Sequence, residues 1–169
     1  MKILRSLTLA LAVVPALAFA SRHAYTEPND TSTVDRSGWE SLSGPTRLTW
    51  ASKNDVYRQM ATPPTLSVTD TTVHAWRGER LGLEALLISP EGSGELKVSI
   101  SDLRRGKRSY KAPGSSAAFM RYVITTGWPG CGYPPDTLPT FTVPDMIDLP
   151  EATVSMAPRT VRPIWLTVE

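Results

Sequence analysis

The chain has 169 residues, 41% of them hydrophobic and 20% charged, with a formal net charge of +2. That is the length of one domain, enough to bury a real core and too little for a TIM barrel, which typically takes ~250 residues. Ordinary apolar content and small net charge exclude a disordered chain, and the lack of a dense basic face argues against a nucleic-acid partner.

Residues 1–20 read MKILRSLTLALAVVPALAFA. Lys2 and Arg5 make a positive start, an apolar stretch follows from Leu7 to Phe19, and Ala18-Phe19-Ala20 supplies small residues where a signal peptidase reads. This is the three-part pattern of a secretory signal peptide. The apolar stretch is shorter than the ~20 residues of a membrane span, and Ser21 stands where a lipoprotein would need cysteine. The expectation is a cleaved, exported protein, periplasmic or extracellular, with no membrane contact after cleavage. Both cations of the signal leave with it, so the mature chain is formally neutral. Cys131 is the only cysteine, which precludes an internal disulfide.

Residues 21–45 are rich in Ser, Thr, Asp, Asn and Pro and read as a flexible leader, with Trp39 as the residue able to dock onto the body. From Thr46 onward the pattern is β. Short runs surround Val68 and Val73–Trp76. Leu81, Leu83, Ala85 and Leu87 alternate with other residues, and Leu96, Val98 and Ile100 alternate with Lys97, Ser99 and Ser101. Period two marks a strand with one buried face. Phe119–Thr125, Thr140–Val143, Thr153–Met156 and Val161–Val168 are further strands, separated by turn signals at Pro90–Gly94, Arg105-Gly106-Lys107 and Ala112-Pro113-Gly114. The best helical segment, Asn54–Met60, is short. Several short strands with regular turns predict an all-β, antiparallel sandwich with Greek-key-like connections over residues 46–169.

Residues 127–150 carry six prolines and three glycines and form the irregular part. Trp128 and Tyr133 lie there, and aromatic faces of this kind can stack on sugar rings. Against that stands a covering role on the sandwich's own edge. No catalytic triad is defensible, because His23 and His74 are the only histidines and His74 reads as a structural residue on a strand. Asp136, Asp145 and Asp148 follow no known metal-loop spacing, so no metal or cofactor is expected. Trp76, Arg77 and Glu79 open one strand, and Arg121 lies within another. A charge among Phe119, Tyr122 and Val123 needs a partner, for which Glu79 and Asp102 are the candidates. These residues read as an ion-pair network, an interface, or a sugar-facing patch.

An ordered set of words then stands out: Ala75-Trp76-Arg77-Gly78-Glu79-Arg80, Leu96 to Leu103, Phe119 to Val123, Gly130 to Tyr133, Pro144 to Asp148, and Val161 to Val168. In order and spacing, from about Trp50 to Glu169, they resemble the N-terminal β-sandwich of glycoside hydrolase family 123, which includes β-N-acetylgalactosaminidases. In that family the sandwich precedes a catalytic (β/α)-barrel with an adjacent Asp-Glu pair and a substrate-assisted mechanism. This sequence has no adjacent Asp-Glu or Glu-Asp, so no catalytic residue carries over. The resemblance implies an exported, non-catalytic accessory domain, lacking its last strand and the barrel, that packs against such a barrel. Two alternatives stay open: a stand-alone carbohydrate-binding module using Trp128 and Tyr133, and the inactive fragment of a truncated hydrolase gene.

Overall fold

The structure, a computed structural model, describes residues 25–30, 35–64, 70–127 and 138–169, and the backbone of 11–15. It is an all-β antiparallel sandwich. Five strands form the larger sheet: β2 (Arg47–Ala51), β3 (Leu81–Ser89), β7 (Ser116–Thr126), β8 (Thr140–Ile147) and β10 (Thr160–Val168), in the order β2-β3-β10-β7-β8. Three form the smaller sheet: β1 (Leu11–Pro15), β4 (Ser93–Ile100) and β9 (Thr153–Met156), in the order β1-β4-β9. A hairpin of β5 (Leu103–Arg105) and β6 (Arg108–Tyr110) stands apart, turned at Gly106 with φ +59°, a conformation glycine adopts without steric cost.

Period-two alternation splits the larger sheet's side chains between two clusters. One face sends Ala85, Leu87, Ala117, Phe119, Ile164 and Leu166 against Leu96 and Val98 of β4 and Val154 and Met156 of β9. This is the core between the sheets. The other face sends Leu86, Ile88 and Val161 against Trp39 and Tyr57. Both faces of β3 and β10 are therefore covered, which is why these central strands read as near-continuous apolar runs.

The second cluster depends on the segment that the sequence suggests is a leader. Trp39, in a short 3-10 helix over Ser37–Ser41, is 2% exposed. Its indole Nε1–H lies within hydrogen-bond reach of the Met60 and Ala61 carbonyls at 3.2 and 3.1 Å. The apolar run expected in the export signal also makes a strand, Leu11–Pro15, paired antiparallel with Leu96–Ile100. Val13 and Val14 are β-branched and favour extended backbone, so an apolar signal core is also a competent strand.

Three local expectations change. Asn54–Met60 is not helical. Ser52 instead organises a turn, accepting from the amides of Asn54 and Asp55, while its own N–H donates to the buried Tyr57 hydroxyl at 2.9 Å. The Gln59 carbonyl then accepts from Val161 N–H, which holds the segment along β10. The run Val73–Trp76 is irregular and exposed among the described residues, His74 included. Finally, β8 extends through Pro144 to Ile147. Pro144 is tolerated because β8 is the sheet's edge.

Candidate functional site

The site begins where β7 leaves β10. Their pairing covers Ile164–Thr167 against Ser116–Phe119 and stops just short of Pro163, which has no N–H to give. Beyond that point Tyr122 N–H donates to Glu27 Oε1 at 3.1 Å. Glu27 also takes both terminal nitrogens of Arg162, with Nη2–Oε2 at 2.6 Å. Arg162 is 3% exposed, donates to the Met120 carbonyl at 3.0 Å, and lies 4.7 Å from the Tyr122 ring centroid. The Tyr122 hydroxyl sits 3.0 Å from the carbonyls of both Tyr57 and Val161. Burial raises its pKa, opposed by the Arg162 charge. Glu27, Tyr122 and Arg162 are each hydrogen-bonded within the cluster, with Arg162 Nε left buried and without a partner among the described residues, and together they fasten residues 25–27 onto the sheet.

A groove of about 630 Å³ opens beside it, lined by Tyr25–Asn29, Val123 and Ile124. Its one carboxylate, Glu27, is already engaged by Arg162.

Trp76, Arg77 and Glu79 form an exposed turn before β3. Gly78 bends it with φ +82°, Trp76 N–H donates to Glu79 Oε2 at 2.7 Å, and Glu79 N–H donates back to the Trp76 carbonyl at 3.1 Å. The Trp76 side chain is left 87% exposed. The turn lies at the chain's C-terminal end: Leu81 pairs with Val168, and Arg80 meets Glu169 at 3.1 Å.

Arg121 is held elsewhere. It pairs with Asp148 and donates to the Thr153 carbonyl at 3.1 Å. Neither expected partner is used: Glu79 closes its own turn, and Asp102 accepts from Ser109 at 3.2 Å. Asp148 wins because β8 is register-paired with β7, Met120 facing Ile147, which delivers the carboxylate beside the guanidinium. The pair is thus structural, and no hydrogen bond or ion pair joins it to the Trp76 turn among the described residues. Trp128 and Tyr133 lie outside the described residues, as do Cys131 and Asp136.

One further acid was missed in the sequence. Glu84 of β3 is 5% exposed, opposite Ala51 and Trp165 in register. Burial, then the Asp55 charge, pushes its pKa up to about 7. Among the described residues no group of three His, Cys, Asp or Glu is placed to hold a metal ion, and no helix is long and apolar enough to cross a membrane.

Residues 50–169 match the family model described as the glycoside hydrolase 123 N-terminal domain. The chain belongs to this family. The match starts inside β2 and runs through β10, so it takes in four strands of the larger sheet and the end of the fifth. No curated protein matches the chain. The glycoside hydrolase 123 N-terminal domain seen here thus places Trp76, Arg77, Glu79 and Arg121 inside the family's boundaries, while Glu27 and Trp39, which pack on the sheet from outside them, lie upstream.

Proposed function

We propose that the chain is an exported, non-catalytic accessory domain that packs against a glycoside hydrolase 123 catalytic barrel and helps shape it. The observation that carries this reading is the match to an N-terminal domain, a unit whose partner follows it in the parent enzymes. The position of Trp76 supports a specific contact surface. An indole 87% exposed on a turn whose backbone is tied by two hydrogen bonds is an aromatic residue of the type enriched at interface hot spots. It sits at the end of the sandwich where β10 finishes. The signal-like residues 1–20 support export.

The site's chemistry favours a binding role over catalysis. Arg121, Glu27 and Arg162 are held in structural pairs, and the adjacent Asp-Glu pair of the family's barrel has no counterpart in this sequence. The chain alone is expected not to turn over a chromogenic β-N-acetylgalactosaminide; steady turnover by the purified chain would overturn the reading. The exposed Trp76 also favours a second reading, a glycan-binding module. Quenching of tryptophan fluorescence by soluble glycans, lost in Trp76→Ala or Trp128→Ala, would select it.

A further inference from the structure

We propose that the outer edge of β4 is a self-association site, and that removal of residues 1–20 exposes it to a second copy of this chain. The inference rests on the export reading above. Strand β9 pairs with β4 only over Ser93–Lys97, whereas β1 pairs with it over Leu96–Ile100. Among the described residues, Val98, Ser99 and Ile100 therefore find strand partners only in residues 11–15. Signal cleavage takes that strand away and leaves unpaired backbone over an apolar core, a template for another strand.

The edge is complementary to itself. Laying a second β4 antiparallel across it, with Val98 facing Val98 of the copy where Val13 stands now, sets Leu96 opposite Ile100 and Lys97 opposite Ser99. Leu96, Val98 and Ile100 all face the core, so the apolar row stays in register with an apolar row. Lys97 and Ser99 are exposed and meet each other, so no like charges oppose. Two copies so joined give a continuous β9-β4-β4-β9 sheet with two-fold symmetry, an isologous contact. An edge of this length buries less than the ~800 Å² per partner of a standard interface, so the dimer is expected to be weak, with a dissociation constant on the order of micromolar.

The experiment is expression from the complete gene, purification of the exported protein, mass determination, and sedimentation over a concentration series. A chain beginning at Ser21 that dimerises with concentration supports the proposal. Ser99→Lys, which opposes two lysines in each of two symmetric pairs, is expected to weaken the dimer on the order of tenfold. The double variant Lys97→Glu, Ser99→Lys is expected to restore it, which separates lost association from lost folding. A processed chain that stays monomeric throughout, or a dimer indifferent to both variants, overturns the self-association site and leaves the export reading intact. A chain that retains residues 1–20 overturns the export reading by its mass, and with it the exchange.

Discussion

Glu27 and Arg162, 135 positions apart in sequence, form a largely buried, two-pronged ion pair. The pair substitutes for strand pairing where β10 and β7 part: the guanidinium caps the Met120 carbonyl, and the carboxylate caps the Tyr122 amide. A polar bridge of this kind is costly to desolvate and more costly to break.

Removing one partner should therefore hurt more than removing both. Glu27→Ala strands a guanidinium that is 3% exposed and is expected to cost about 3–5 kcal/mol. Glu27→Gln with Arg162→Met is expected to be less destabilising than Glu27→Ala alone. Urea midpoints of the three proteins measure the difference.

Glu84 should make stability depend on pH. Its folded pKa of about 7 lies above the ordinary 4.5, so the folded state holds the proton more tightly than the unfolded state. The resulting stabilisation is full below about pH 4.5 and is lost as pH rises through about 7, a contribution of up to ~3 kcal/mol. Glu84→Gln is expected to flatten this part of the profile and to raise the melting temperature at pH 8. Thermal unfolding at pH 5 and pH 8 checks it.

Gly82 should resist any side chain. A Cβ there would lie 2.5 Å from Cζ2 of Trp165, the ring that covers it from β10. Gly82→Ala is expected to cost about 1–3 kcal/mol through overpacking, while Gly94→Ala on β4, with open space around its Cβ position, is expected to cost less. Denaturant midpoints compare the two.

Trp39 should prove part of the core. Trp39→Ala removes a side chain 2% exposed and two carbonyl contacts, with an expected loss of about 3–5 kcal/mol. A near-neutral result in thermal unfolding would mean that residues 35–45 are only loosely attached.

The strands were legible because burial imposes period two, as in Leu96-Lys97-Val98-Ser99-Ile100, and because the turns carry glycine or proline. What packs on the second face was legible only as an isolated clue, Trp39 in a polar stretch. The partner of Arg121 was not legible. Asp102 was nearer in sequence and Glu79 lay in a charged strand-opening turn, but the β7–β8 register brings Asp148 instead. Glu84 was hidden for a similar reason: an acid at an alternate strand position reads as solvent-facing until the opposite face is known to be covered. Glu27 gave no signal at all, since its partner lies in the last strand. The aromatic residues Trp128 and Tyr133, expected to offer a stacking platform, fall outside the described residues.

Binding to a glycoside hydrolase 123 barrel through the end that carries Trp76, as proposed above, can be tested directly. The most direct measurement is the melting temperature of a family catalytic barrel, freed of its own N-terminal domain, with and without this chain. The account predicts that the chain raises the melting temperature and that Trp76→Ala, which should change the chain's own stability by less than about 0.5 kcal/mol, abolishes most of the rise. A barrel whose melting temperature is unmoved by saturating wild-type chain would contradict it.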